Sequence, residues 1–141
     1  MAIFQLTRDH GLEKLGAVLD DYSRVDKIHI IIEDDWAVEI NDNDKEMLEE
    51  FKDNLYPLVL IGSRHEKKLY KANLGKKAYD IDFFIQDKIV FKISIYELSE
   101  DFQANSENSF TIGDKHYIAK WNNNYIKLMM NDPDSFIEVI E

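Results

Sequence analysis

Asp42, Asp44 and Glu46 alternate along the chain as the first oxygen ligands of a calcium loop do. Such a loop needs Gly at its sixth position and a bidentate Glu at its twelfth, and here those positions hold Met47 and Asp53, which excludes a calcium loop of that kind. Glu66-Lys67-Lys68 has the E-x-K spacing of metal-dependent nucleases, but it reads as a polar turn past Gly62 rather than the strand such a centre needs. Asp80 and Asp82 alternate with Tyr79, Ile81 and Phe83. That sets two carboxylates on one strand face, where acid–base pairs are built and where the wet side of a half-buried sheet also lies. Ser63, in Ile-Gly-Ser-Arg-His, lacks the second Gly of a nucleophile elbow. His10, His29, His65 and His116 form no HxH or HExxH pair, and the five glycines never cluster into a phosphate loop. The expectation is no enzyme, no cofactor and no resident metal.

The chemistry that the spacing does support is recognition by charge. Glu46, Glu49, Glu50 and Asp53 fall at i, i+3, i+4 and i+7, opposite Met47, Leu48, Phe51 and Leu55. An ordinary solvated helix face mixes signs, and each like-charged neighbour costs roughly 0.2–0.5 kcal/mol at low salt. The row is expected to project outward with no internal cation beside it. Between residues 33 and 53 there are ten acids and two lysines, whereas between 64 and 77 there are six basic residues and one acid. The acidic segment suits a solubilising face or a partner-binding face equally. The basic segment reads as a loop, or as an edge strand blunted by lysines. Arg64, Lys67, Lys68, Lys71, Lys76 and Lys77, with Tyr70 to stack, contain the ingredients of a nucleic-acid contact. On so acidic a chain they would attract a polyanion only within a Debye length of roughly 8 Å, so no direct nucleic-acid binding is expected.

A chain of 141 residues with 45% hydrophobic content and a formal net charge of −11 suits a single α+β domain over residues 1–141, drawn to basic partners rather than to nucleic acid or anionic lipid. With no Cys it offers no disulfide framework and fits a reducing compartment, the cytoplasm by default. It has no apolar run near 18 residues, and its first residues lack a basic region followed by an apolar stretch, so neither a membrane span nor export by that route is expected.

The elements that must position these residues follow from periodicity. A strand is predicted over 2–7 and a helix through Leu12, Leu15, Leu19 and Tyr22 to Arg24. A hairpin over 27–33 and 36–40 has Asp34 and Asp35 at an acidic tip and Trp36, Val38 and Ile40 on its inner face. The acidic helix starts at Asn43, whose spacing to Glu46 is that of a capping box, and stops before Pro57. A buried strand over 58–62 follows. The clearest signal is the long hairpin over 77–96, with period-two runs Tyr79–Ile85 and Ile89–Ile95. Strands over 110–112 and 115–121 flank Gly113-Asp114, and a strand over 125–130 follows the Asn122–Asn124 turn. Asp132-Pro133 opens a short C-terminal helix, and residues 97–109 are the longest expected loop. Tight turns forbid parallel neighbours. The predicted fold is α+β: a mostly antiparallel sheet of about six to eight strands, with two main helices on one face and a short C-terminal helix.

In charge, size and compartment the chain resembles bacterial immunity proteins, acidic inhibitors that neutralise the basic clefts of toxin nucleases. The resemblance implies a noncatalytic protein that binds and blocks a basic partner. Asp34, Asp35, Glu39, Asp42, Asp44, Glu46, Glu49, Glu50 and Asp53 would steer association, and an aromatic anchor, Trp36 or Trp121, would add affinity. An alternative partner is a nucleic-acid-binding defence protein whose groove the carboxylates fill as phosphate mimics, as phage inhibitors do. A third reading is a small ligand-binding or enzymatic domain whose sheet forms a cavity with Tyr79, Phe83, Phe91 and Tyr96.

Overall fold

The computed structural model describes residues 20–33, 35–61, 64–102, 108–122, 124–129 and 133–140; the side chains of residues 36, 56–60, 129, 133, 137 and 140 are outside that description. The predicted strand over 2–7 and most of the predicted first helix therefore lie outside the described residues.

Among the described residues eight strands form one sheet: β1 (Lys27–Ile32), β2 (Trp36–Asn41), β3 (Tyr56–Leu60), β4 (Leu74–Ile85), β5 (Lys88–Leu98), β6 (Phe110–Ile112), β7 (Lys115–Trp121) and β8 (Asn124–Met129). Their order is β2-β1-β4-β5-β7-β8-β3, with β6 paired to β7, and every pairing is antiparallel. Interleaved with them, among the described residues, are the helices α1 (Lys45–Asn54), α2 (Arg64–Asn73) and α3 (Pro133–Ile140). The α+β architecture and its antiparallel sheet match the sequence expectation.

Period-two patterning sorts side chains onto two faces. Ile28, Ile30, Ile81, Phe83, Phe91, Ile93, Ile95, Ala119, Trp121 and Ile126 build the main core, where α1 supplies Leu48, Phe51 and Leu55 and α3 supplies Phe136. Tyr22, at the end of a helical turn over 20–22, packs edge-on to Phe83 at 5.2 Å in the same core. Residues of opposite parity, Tyr96, Leu98, Ile118 and Tyr125, form a second cluster on the other face, closed by Tyr70 of α2. Helices therefore cover both faces. The basic stretch expected to be a loop or edge strand is instead α2 followed by the start of β4, and the predicted long loop begins only after Leu98.

Turn chemistry fixes the register. Gln86 and Asp87 both have positive φ (49° and 66°), as a type I′ hairpin requires, and they join the two longest strands. Gly113 has φ 65° at the first turn position between β6 and β7, as a type II′ hairpin turn requires. Gly75 allows β4 to approach β5 closely, because a Cβ there would lie 2.9 Å from the Glu97 carbonyl oxygen.

Candidate functional site

The start of α1 is built from two nested caps. The Asn43 N–H donates to the Asn41 side chain at 2.9 Å, opening a single 3-10 turn over Asp42–Asp44. The Met47 N–H then donates to Asp44 Oδ1 at 3.1 Å, so Asp44, not the expected Asn43, caps the helix. Leu55 closes the helix by donating to the carbonyls of Phe51 and Lys52. Burial of Leu48, Phe51 and Leu55 turns Glu46, Glu49, Glu50 and Asp53 outward, and all four are exposed.

Phe51 stacks on Phe136 at 5.6 Å between centroids, which brings α3 alongside α1. Between them lies a groove of about 440 Å³. Met47, Phe51 and Val139 form its apolar floor, and Asp44, Glu46, Glu50 and Glu138 supply carboxylates around it, with Ser135 completing the lining. No cation lines it among the described residues. Met47 is 40% exposed and is open to a partner entering the groove.

One part of the expected charge row is overturned. Lys52, only 3% exposed, donates to the carbonyls of Ser23 (3.1 Å) and Val25 (3.2 Å) and to Glu49 Oε1 at 3.2 Å. The row thus has an internal cationic neighbour at Glu49, whereas Glu46, Glu50 and Asp53 have no ion-pair partner among the described residues. Lys52 escaped prediction because its other partners are backbone carbonyls 27 and 29 positions away, which no local spacing announces.

The expected binding residues do not form one surface. Asp42, Asp44, Glu46, Glu49, Glu50 and Asp53 are contiguous on α1 and its leading turn. Glu39 lies opposite His29 in the register of β1 and β2, with parity opposite to buried Ile40, so it leaves the sheet on the face away from α1. There it accepts a hydrogen bond from Asn41 Nδ2 at 2.9 Å. Asp35 is exposed at the hairpin tip, separated from Asp42 by the length of β2, about 20 Å at the usual rise per residue. Asp34 lies outside the described residues. Glu138 of α3 joins the site although it was not among the expected residues; its spacing one turn after Asp134 on a helix opened by Asp132-Pro133 was the available signal.

Beside the hairpin tip, Glu33 belongs to a mixed-sign ion network. Glu33 pairs with Lys76 at 2.9 Å, and Lys115 pairs with Glu97 at 2.9 Å. The hydrogen bond from Lys76 holds the Glu33 carboxyl below its usual range and raises Lys76 in turn, while Glu97 raises Lys115. Lys77 pairs with Asp80 at 2.8 Å. Two lysines of the basic segment are thereby spent on acids outside α1, and neither crosses the row. A second cleft, of about 320 Å³, is lined by Glu97, Glu100, Asp114, Lys115 and His116, and the Lys115–Glu97 pair already balances part of its charge.

The other chemical constellations do not assemble. Phe83, Phe91 and Tyr79 pack into the main core while Tyr96 faces the opposite cluster, so the four aromatics do not line one cavity. Asp80 accepts from Ser94 Oγ at 2.7 Å, and Asp82 faces Lys92 at 3.9 Å. Glu66 sits on α2 rather than in a turn and accepts from Asn108 Nδ2 at 2.9 Å. Trp121 packs at a tilt against Phe91, 5.7 Å between centroids, inside the core, which removes it as a surface anchor; the side chain of Trp36 is outside the description. Among the described residues no group of three His, Asp or Glu is placed to hold a metal, and no helix is long and apolar enough to cross a membrane.

Comparison with protein-family models, with curated proteins and with solved structures finds no match.

Proposed function

We propose that this chain is a noncatalytic binding protein whose α1–α3 face occupies a basic surface of a macromolecular partner, as an immunity protein blocking a nuclease-like toxin domain would. The observation that carries the reading is the composition of the groove: a floor of Met47, Phe51 and Val139 edged by four carboxylates, with no lysine or arginine in the lining among the described residues. Unpaired like charges one helical turn apart raise the energy of the free protein, and an incoming Lys or Arg relieves that repulsion. Carboxylates act at a distance to speed encounter, and the apolar floor supplies close contact once the partner is seated. Met47 suits that role because an unbranched thioether adapts to irregular partner surfaces. Glu39 and Asp35, on another face and at the far tip, fall outside this contact.

The experiment is capture from the native host on two baits, the wild-type chain and Glu46→Lys/Glu50→Lys, with bound proteins identified by mass spectrometry. Both substituted positions are exposed, so the variant retains its core. The reading expects a basic protein held by the wild type and lost from the variant, and the purified partner to lose nuclease activity when the wild-type chain is added. Equal capture by both baits, or a captured partner without a basic surface, would count against it.

A further inference from the structure

The charged face of α1 has a counterpart elsewhere in the same molecule. Arg64, Lys67, Lys68 and Lys71 follow the i, i+3, i+4, i+7 pattern of Glu46, Glu49, Glu50 and Asp53, and all four are exposed on α2. None of these cations is in an ion pair among the described residues; the two lysines of residues 64–77 that do pair with acids, Lys76 and Lys77, belong to β4. Each helix has ten residues and each stripe covers about 10 Å of helix axis. The 0, 3, 4, 7 spacing is the same read in either direction, so the stripes can be matched parallel or antiparallel, with the helix dipoles favouring antiparallel.

The two stripes cannot meet within one molecule. Tyr70 fixes α2 on the sheet face that carries Ile118 and Tyr125, while Leu48 and Phe51 fix α1 on the face that carries Ala119 and Ile126. The sheet lies between them, and each charged row points away from it. We infer that copies of this chain associate head to tail, with the basic stripe of α2 on one copy seated against the acidic row of α1 on the next. The contact is heterologous: it uses two different patches, and a free stripe of each sign remains at the two ends of every assembly. Growth therefore continues past the dimer instead of stopping there. The occupant is a second copy rather than a polyanion because a copy presents Glu46, Glu50 and Asp53 at the spacing of Arg64, Lys68 and Lys71, on a helix of the same length, whereas a nucleic acid offers no such matched row. This inference stands apart from the proposed function, although a basic partner and a second copy would compete for α1.

Salt gives the contact a signature of its own. At about 10 mM salt the Debye length is about 30 Å, so the net charge of each copy repels the next; near 0.1 M it falls to about 10 Å, which screens the whole-body repulsion and leaves touching pairs. At about 1 M those pairs weaken as well. Solvent-exposed pairs are individually weak, which places the association at roughly 0.1–1 mM.

Sedimentation velocity on the full chain at graded concentration and salt tests this, together with two charge reversals: Glu46→Lys/Glu50→Lys/Asp53→Lys on α1, and Lys67→Glu/Lys68→Glu/Lys71→Glu on α2. The wild type should show mass-average growth beyond the dimer, largest near 0.1 M salt. Each reversal alone should sediment as a monomer, and an equimolar mixture of the two should associate again, because each then offers the stripe the other has lost. The α1 reversal lowers the net negative charge, so an association governed by whole-molecule repulsion alone would instead strengthen in it. A wild type that stays monomeric, a single reversal that still associates, or a mixture that does not recover would overturn the inference. So would a monomeric wild type that binds a single-stranded oligonucleotide through α2, which would assign that stripe to a polyanion.

Discussion

Lys52 and Glu49 stand one turn apart on α1, 3.2 Å from nitrogen to oxygen, with the lysine buried and the carboxylate largely exposed. The same ammonium holds the carbonyls of Ser23 and Val25, and the Tyr22 hydroxyl donates to the Lys52 carbonyl at 2.8 Å. One side chain thus fastens α1 to the segment entering β1 and removes one carboxylate from the set open to a partner.

Lys52→Met should destabilise the fold by about 2–3 kcal/mol, since charge-assisted hydrogen bonds to two carbonyls are lost and those acceptors remain at a buried site. Glu49→Gln should change stability by no more than about 0.5 kcal/mol, because its half of the pair is solvated. Urea denaturation of both variants checks the contrast; a Glu49→Gln loss equal to that of Lys52→Met would show that the ion pair, not the carbonyl contacts, holds the helix.

Alkaline pH should unfold the protein through its buried tyrosines. Burial pushes Tyr70 and Tyr79 each up to about 12, with the Glu66 charge adding to the rise at Tyr70. In the unfolded chain tyrosine ionises near 10, so between about pH 10 and 12 the unfolded state has lost protons that the folded state retains, and stability falls as pH rises. The contribution is complete below about pH 10. Tyr70→Phe and Tyr79→Phe should each make the alkaline decline shallower in chemical denaturation run from pH 8 to 11.

Gly75→Ala should cost about 1–3 kcal/mol, because the new methyl group meets the Glu97 carbonyl oxygen at 2.9 Å and backbone must shift to admit it. Thermal unfolding measures the loss. An unchanged melting temperature would show that the start of β4 relaxes freely away from Glu97.

Much of the fold was legible in the sequence because packing and turn chemistry were local. The β4–β5 hairpin followed from strict alternation between Tyr79 and Ile95, and α3 from Asp132-Pro133. Helix α2 was missed because only Tyr70 of its ten residues is buried, so no apolar stripe marks it; the signal present was intrinsic propensity, in a run of Arg, Glu, Lys, Leu and Ala. The cap of α1 was displaced by one residue because Asn41, Asp42, Asn43 and Asp44 are all competent caps, and only the 3-10 turn selects among them. Of the candidate site, the α1 carboxylates were readable from helical spacing. Glu138 and the apolar floor were not, because the α1–α3 contact rests on Phe51 and Phe136, far apart in sequence. Nor was the separation of Glu39 and Asp35 from that face, which depends on strand parity and length.

Position within the acidic segment should decide effect. Glu33→Gln and Asp35→Asn alter the hairpin tip, about 20 Å along β2 from α1, and should leave the association rate with a basic partner unchanged near 0.1 M salt, where the Debye length is about 10 Å. Glu46→Lys/Glu50→Lys should slow it by roughly tenfold or more, with the difference fading by 0.5 M salt. Stopped-flow association of the captured partner distinguishes the two sets, and equal slowing by both would mean that net charge, not the α1 face, steers encounter.

The central claim, that the α1–α3 groove is the contact for basic partners, is tested most directly by a two-dimensional amide and methyl NMR titration with a lysine-rich amphipathic helical peptide as the probe. Shifts should concentrate at Glu46, Met47, Glu50, Phe51, Glu138 and Val139, and should be lost in Glu46→Lys/Glu50→Lys. Shifts centred instead on Glu39 and the face of the sheet away from α1, or unaltered by the double substitution, would contradict that role for the groove.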